Sequence, residues 1–198
     1  MLDSWHREID AKKVGNKKAL KKNAMRLLIF RHAKAEKGAP GTRDRDRPLA
    51  PRGLKEAPQM GAFMAHHKLV PRHALVSPAR RTRETWDGLA GTLPGTIPVF
   101  YEDRLYDATP ETIVAAIKET PANIRTLIVV GHNPGLHETA RLLIAAGDVE
   151  ARERLNEGLP TSGLAVIDFA GNDWDKLHPR SGRLERFVTP RLLKAATD

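Results

Sequence analysis

The chain has 198 residues, of which 40% are hydrophobic and 29% are charged, and its formal net charge is +9. This length and composition are typical of a folded domain with a substantial core, and they exclude wholesale disorder. The chain contains no cysteine, which excludes disulfides, thiolate metal sites and a cysteine nucleophile.

The sequence has no stretch of about 20 apolar residues of the kind that crosses a membrane, and it does not begin with the apolar run of a signal peptide. We therefore expect a cytoplasmic protein with no membrane partner. The positive charge would attract nucleic acids and phosphorylated ligands alike. However, aromatic residues, which stack on unpaired bases, make up only 5% of the chain. Nucleic-acid binding is therefore kept only as a lesser alternative.

The first 24 residues differ from the rest of the chain, because they carry seven Lys or Arg residues against three acidic ones and have no strand–helix rhythm. This composition predicts a basic, flexible extension at residues 1–24. The folded domain is then predicted to span residues 25–198.

Short apolar runs and helical patterns alternate from Met25 onward. The runs predict strands over residues 26–30, 73–77, 97–101, 126–130 and 164–169. Helices are predicted from residue 49, over residues 78–89, from Thr109 as an N-cap with Pro110 in the first position, and over residues 135–145. The tail beyond Phe169 shows no clear pattern. This alternation predicts an α/β fold in which helices cover both faces of a mostly parallel sheet.

The first of these helices raises a question about proline. Its helical spacing places four small or apolar residues on one face, namely Leu54, Ala57, Gly61 and Met64. Pro58 lies among them, and a proline inside a helix removes a backbone donor. We therefore expect Pro58 either in the first turns of the helix or at a kink.

Three clusters of basic residues and histidines follow predicted strands. The first is Arg31–His32, directly after residues 26–30. A strand end fixes the backbone closely, a neutral imidazole is nucleophilic, and a guanidinium matches phosphate oxygens. An Arg–His pair is nevertheless more often structural than catalytic when it occurs alone.

The second cluster, SPARRTRET, opens a helix after residues 73–77 and contains three arginines. A helix turn points these arginines in different directions, so we expect only one of them to face a site, while Glu84 pairs with Arg80 or Arg81. The third cluster, GHNPG, follows residues 126–130 and holds His132, which could donate a hydrogen bond to a phosphoryl oxygen. A metal site formed by His132 and His137 has the wrong spacing and no clear third ligand.

Four motifs, LLIFRHAKAE, RPLAPRG, LVSPARRTRET and VVGHNPG, together resemble the histidine phosphatase superfamily, and within it the compact SixA-type phosphohistidine phosphatases. The resemblance runs from about Met25 to Phe169 in the family's order. It implies a phosphoglycerate mutase-like three-layer α/β/α sandwich with a mostly parallel central sheet. It departs from the typical pattern at Ala33, where a glycine is usual.

The resemblance also implies roles for individual residues. His32 matches the histidine that becomes phosphorylated, while Arg31, Arg81 and His132 match the phosphate-binding and catalytic partners. Asp107 falls near the position of the general acid in related phosphatases. An alternative for Asp107 is a helix-capping or loop residue before Thr109.

The resulting hypothesis is a metal-independent phosphatase with no cofactor that forms a phosphohistidine intermediate. The resemblance favours phosphohistidine on a signalling protein as the substrate. A small phosphate ester as the substrate, a mutase, and a non-catalytic phosphate-binding module of the same fold remain as alternatives. The sequence leaves the oligomeric state open.

Overall fold

The computed structural model describes residues 24–195. All but one residue of the predicted basic extension therefore lie outside the described part of the chain. The first strand begins at Met25, where the sequence places the start of the domain.

The centre of the fold is one sheet with the strand order β3-β2-β4-β1-β6-β7-β5. Neighbouring strands are parallel except at the two edges of β6, which pairs antiparallel with β1 and with β7. The strands are β1 Met25–Arg31, β2 His73–Val76, β3 Val99–Tyr101, β4 Thr126–Gly131, β5 Ile144–Gly147, β6 Leu164–Phe169 and β7 Gly182–Val188.

Helices connect these strands and cover the sheet. They are α1 Pro51–His66, α2 Arg80–Ala90, α3 Pro110–Lys118, α4 Gly135–Leu143, α5 Val149–Glu157 and α6 Pro190–Ala195. Three short 3₁₀ turns lie at Asp44–Asp46, Asp103–Leu105 and Trp174–Lys176. As predicted, the Thr109 side chain caps α3, where it accepts a hydrogen bond from the Thr112 N–H, and Pro110 is in the first position.

The side chains of β1 alternate between two hydrophobic clusters, one on each face of the sheet. Leu27 and Ile29 pack with residues of α3, α4 and α5. Leu28 and Phe30 pack with residues of α1 and α2. A parallel strand buried on both faces has this continuous apolar pattern. The predicted three-layer α/β/α sandwich with a mostly parallel sheet is thereby confirmed.

Several predicted boundaries are wrong in detail. Helix α1 begins at Pro51 and continues through Pro58, its eighth residue, so the prediction that Pro58 lies in the first turns is wrong. Leu54 is 57% exposed and does not belong to the buried face. Helix α4 ends at Leu143, and the residues that follow form β5 instead of extending the helix to residue 145.

Two close contacts fix the loops that surround the strand ends. A Cβ on Gly53 would lie 2.2 Å from the Lys34 carbonyl oxygen, so the start of α1 packs directly on the backbone after β1. A Cβ on Gly135 would lie 2.0 Å from the Ala108 carbonyl oxygen, so the start of α4 packs on the segment before α3. Only glycine permits either approach.

No helix within residues 24–195 combines the length and the apolar character needed to cross a membrane.

Candidate active site

Three parallel strands end side by side at the candidate site. In the sheet register, Arg31 of β1 lies beside Gly131 of β4. The His32 backbone N–H donates to the Gly131 carbonyl at 3.1 Å, so the residues that follow β1 and β4 are held together. As a result, the His32 and His132 rings have their centroids 5.2 Å apart.

The His32 ring is held in one tautomer. Its Nδ1 lies 2.8 Å from the Ala33 carbonyl oxygen, which can only accept a hydrogen bond. Nδ1 therefore carries the proton, and Nε2 keeps its lone pair. Burial lowers the pKa of His32 to about 4. The positive charges of Arg81, Arg31 and Arg47 also lower this pKa, whereas the hydrogen bond to Ala33 raises it. The ring is neutral at pH 7, in the form that attacks an electrophile.

The backbone around His32 is also anchored. The Ser162 N–H lies 3.1 Å from the Arg31 carbonyl and 3.2 Å from the His32 carbonyl. The Ser162 hydroxyl donates to the buried Glu56 carboxylate at 3.0 Å. On the other side, the Ala33 N–H donates to the Thr85 hydroxyl of α2 at 3.0 Å. These contacts connect the residue after β1 to α1 and α2, which cover the same face of the sheet, and to the loop before β6.

The His132 ring takes the opposite tautomer. Its Nδ1 lies 3.3 Å from Nη2 of Arg81, which can only donate, so the proton is on Nε2, 2.8 Å from the Ser77 hydroxyl oxygen. Burial, together with the charges of His32 and Arg81, lowers the pKa of His132 to about 3. In this state the ring accepts a hydrogen bond from Arg81 and has no free N–H for a ligand.

Arg81 is buried and is the arginine of α2 that faces this site, as the sequence predicts. Its guanidinium donates to the Asp44 carbonyl at 2.6 Å and to the Asp44 carboxylate at 2.8 Å. The Tyr106 hydroxyl donates to the same carboxylate oxygen at 2.8 Å. Hydrogen bonds from Tyr106, Arg47 and Arg81 hold the pKa of Asp44 well below its usual range. A carboxylate therefore occupies part of the hydrogen-bonding capacity of Arg81.

Arg31 lies on the other side of His32. One of its N–H groups donates to the Leu159 carbonyl at 2.9 Å, and the Asn133 side-chain amide donates to the same oxygen at 2.8 Å. Nε of Arg31 and Oδ1 of Asn133 are buried, and neither has a hydrogen-bond partner among the described residues. Burial lowers the pKa of Arg31 from its ordinary value.

Asp107 lies at the edge of this group. It is an exposed residue with a φ of 49°, in a turn that a short polar side chain tolerates. Its charge is near enough to raise the pKa of Tyr106, although burial and the Asp44 hydrogen bond raise that pKa more. The helix-capping alternative is wrong, because Thr109 caps α3, and Asp107 is a loop residue.

The other basic residues and histidines have structural contacts. Arg80 pairs with Glu84 at 2.7 Å, one of the two pairings that the sequence allows. The Arg83 guanidinium lies over the Tyr101 ring. His137 lies 2.7 Å from the Leu155 carbonyl, to which its Nε2 donates. Within residues 24–195, no three His, Asp or Glu side chains come together as a metal site.

Sequence reasoning missed four residues that contact these side chains or share their partners. Asp44 and Tyr106 are 37 and 25 residues away from Arg81 in the chain and belong to no recognisable pattern, so only the folded chain brings them together. The Leu159 carbonyl is a backbone group, and no residue type marks it in advance. Asn133 stands within the GHNPG motif, but the motif alone does not indicate what its amide binds.

The arrangement defines a class of site. Two arginines and two neutral histidines surround one point at the carboxyl ends of parallel strands, where α/β folds bind ligands. Guanidinium groups bind phosphate oxygens in a fork, and a neutral imidazole with a free Nε2 can accept a phosphoryl group. These groups are therefore suited to binding and transferring a phosphoryl group.

Comparison with known proteins agrees with this class. Residues 27–111 match the profile of the histidine phosphatase superfamily, branch 1. The chain is 39% identical over 164 residues to the uncharacterized protein Rv1276c of Mycobacterium tuberculosis, covering 82% of this chain and all of that protein. The chain thus belongs to the histidine phosphatase superfamily, and this membership supports a metal-independent phosphatase.

Two solved structures share the fold over most of their length. One is an Agrobacterium tumefaciens protein assigned to the SixA phosphohistidine phosphatases, which is 33% identical with a TM-score of 0.72. The match covers 84% of this chain and 98% of that one. A second SixA-assigned protein, from Nakamurella multipartitia, is 28% identical with a TM-score of 0.74, and the match covers 84% and 96% of the two chains. The phosphoglycerate mutase-like fold and the SixA-like resemblance are therefore confirmed.

Proposed function

We propose that this phosphatase works through a phosphohistidine intermediate on His32. The observation that carries the proposal is the state of the His32 ring. Its Nδ1 proton is donated to the Ala33 carbonyl, and its pKa is about 4, so Nε2 is unprotonated and nucleophilic at neutral pH. Arg31, Arg81 and His132 surround the ring with groups that favour a phosphoryl oxyanion.

The reaction has two balanced steps. In the first, Nε2 of His32 forms a bond to phosphorus while the bond from phosphorus to the leaving group breaks, and the leaving group takes up a proton from water or from Asp107, the proposed acid. In the second, water attacks the phosphohistidine, which releases inorganic phosphate and restores the neutral ring. Arg31 and Arg81 offset the charge of the equatorial oxygens in both steps.

His132 takes part through a change of protonation. Its Nδ1 accepts from Arg81 in the free site, so it can donate to a phosphoryl oxygen only after gaining a proton. A phosphoryl dianion supplies the opposite charge that raises the pKa of a neighbouring imidazole. Binding of the substrate thus favours the protonated ring, which then stabilises the transferred group.

The proposed substrate is phosphohistidine on a signalling protein. The 33% identity to a SixA-assigned protein supports this class. The chemistry supports it too, because a leaving imidazole needs less help from an acid than an alkoxide does. Asp107, the proposed general acid, is exposed at the edge of the site, an arrangement suited to a reaction that depends little on it. We also retain the cytoplasmic location as a prediction.

The test is a phosphatase screen with a phosphohistidine protein and a small ester, 4-nitrophenyl phosphate. The wild-type chain is expected to dephosphorylate at least the phosphohistidine protein and to form an acid-labile phosphoenzyme. The His32→Ala variant is expected to do neither. His178→Ala, which removes an exposed histidine, serves as the matched control and keeps full activity. Full turnover by His32→Ala, or no trapped phosphoenzyme, would disprove the proposal.

The same screen separates the remaining alternatives. A small phosphate ester as the main substrate predicts a higher kcat/KM for the ester than for the phosphoprotein, and a strong loss on that ester with Asp107→Asn. A non-catalytic binding module predicts that the wild-type chain binds phosphate without turnover.

A further inference from the structure

A second feature lies beside the candidate active site, on the side of Arg31. An open cavity of about 720 Å³ is lined by residues from the α5–β6 loop, the α6 region and the ends of β1 and β4. Its size is within the range of cavities that hold small ligands. Arg31 and Asn133 line this cavity and also belong to the active-site group, so the two spaces adjoin.

The charged residues that line the cavity are mostly arginines. Arg31, Arg52, Arg154 and Arg191 face a single acidic residue, Glu157. Arg52 is paired with Glu56 and Arg154 with Glu150, and both of these arginines stay exposed. Arg191 is exposed and has no ion pair within the part of the chain that the structure describes. The cavity therefore keeps a positive excess.

The wall nearest the active site is held in place by hydrogen bonds to one backbone oxygen. The Leu159 carbonyl accepts from both Arg31 and Asn133, which fixes these two side chains at the boundary between the spaces. Nε of Arg31 and Oδ1 of Asn133 are buried without partners in the described residues. Both atoms are out of reach from the cavity, so these side chains form a fixed wall, and this wall offers an anion the positive charge of Arg31.

We propose that this cavity binds a second anionic group of the substrate, a carboxylate or a phosphate, while the phosphoryl group is at His32. The proposal rests on the proposed function and extends it to a substrate class. Guanidinium groups bind both anions through paired hydrogen bonds. The second anion is carried either by an acidic residue next to a phosphohistidine or by a small phosphate ester.

The test compares binding within two pairs of ligands that differ in one charge. The small pair is 3-phosphoglycerate and glycerol 1-phosphate, and the peptide pair is a phosphohistidine peptide with either Glu or Gln beside the phosphohistidine. Calorimetry on full-length His32→Ala, which we expect not to transfer the phosphoryl group, measures affinity without turnover. In at least one pair, the ligand with the additional carboxylate is expected to bind roughly tenfold more tightly than its partner.

Charge removal then locates the effect. Arg154→Ala and Arg191→Ala are added together to His32→Ala. The affinity ratio within a ligand pair is then expected to fall below about twofold, because two charge-assisted contacts are lost. Arg152→Ala is the matched control, because Arg152 also belongs to α5 but does not line this cavity. A preference in the peptide pair alone assigns the anion to a protein substrate, and one in the small pair alone assigns it to a metabolite.

Equal affinities within both pairs, or a preference that survives the double substitution, would overturn the inference. The kcat/KM ratios of the wild-type chain for the same pairs provide a second measurement. Turnover without a preference for the additional carboxylate contradicts only the proposal that the cavity binds a second anion. A binding preference without turnover contradicts only the proposed catalysis.

Discussion

At the scale of single residues, Asp44 orients Arg81, the arginine that we propose binds phosphate. Its carboxylate and carbonyl both accept hydrogen bonds from Arg81, and Tyr106 donates to the same carboxylate. These contacts orient the guanidinium, but they also place a negative charge where we propose that an anion binds. A substitution of Asp44 by Asn separates these two effects, because an amide keeps a hydrogen bond that orients Arg81 and removes the negative charge.

Asp44→Asn is therefore expected to bind inorganic phosphate several-fold more tightly than the wild-type chain. The remaining amide oxygen still accepts from Arg81, while a repulsion of roughly 1 kcal/mol between two nearby anions is lost. Calorimetry measures the dissociation constant. Asp46→Asn removes a charge from the same 3₁₀ turn, where Asp46 pairs with Arg43, and is the control. Weaker binding by Asp44→Asn, or an equal gain in both variants, would contradict this account.

The sequence predicted the members of the site better than their partners. The surroundings of Arg31, His32, Arg81 and His132 contain local signals, since each follows a buried strand or opens a helix. The Asp44 contact depends on a loop whose position only the folded chain defines. The proposed roles of the four residues, and of Asp107 as an acid, stay predictions until they are measured.

At the scale of elements, the start of α1 can pack closely on the segment after β1 because Gly53 has no side chain. The Gly53 Cα packs against the Lys34 backbone, two residues after His32. An added methyl group would lie 2.2 Å from a carbonyl oxygen, and backbone cannot move aside as a flexible side chain does.

Gly53→Ala is expected to lower the free energy of unfolding by about 1–3 kcal/mol, the usual cost of overpacking. It should also reduce turnover, because the displaced Lys34 backbone lies two residues after His32, the proposed nucleophile. Urea denaturation gives the stability change. Gly38→Ala is the control, since its Cβ would meet only the end of the Arg47 side chain at 3.6 Å. Equal stabilities of the two variants would show that α1 can shift freely.

The elements that the sequence did not reveal have weak patterns for physical reasons. Helix α5 buries only Leu155, so its sequence lacks a helical apolar period. Strand β7 mixes arginine and glutamate with buried residues, and its pairing with β6 contains an irregularity between Val166 and Ile167. The buried strands β1, β4 and β6, by contrast, were found because their apolar runs are continuous.

At the scale of the whole molecule, the two active-site histidines make folding sensitive to acid. Their folded-state pKa values of about 4 and about 3 lie below the ordinary value of 6.5. As the pH falls, the unfolded chain therefore takes up these protons before the folded chain does. The stability is fully present above about pH 6.5 and is lost as the pH falls toward 4 for His32 and toward 3 for His132.

At pH 5, the chain is expected to be less stable than at pH 7 by up to roughly 2 kcal/mol for each of the two rings. Urea denaturation at several pH values measures this slope. The double variant His32→Gln, His132→Gln should have a shallower slope, whereas the exposed-site variant His178→Ala should keep the wild-type slope. A double variant with an unchanged slope would mean that other groups cause the acid sensitivity.

The shared Leu159 carbonyl has a consequence for how such an enzyme can diverge. One backbone oxygen holds both Arg31 and Asn133, and its loop also forms a wall of the arginine-lined cavity. Changes in this loop that adapt the cavity to a new substrate would also shift the arginine beside the nucleophile. With the cavity binding the substrate as we propose, changes at Arg154 and Arg191 would alter substrate preference with little loss of rate, whereas changes in the loop would not.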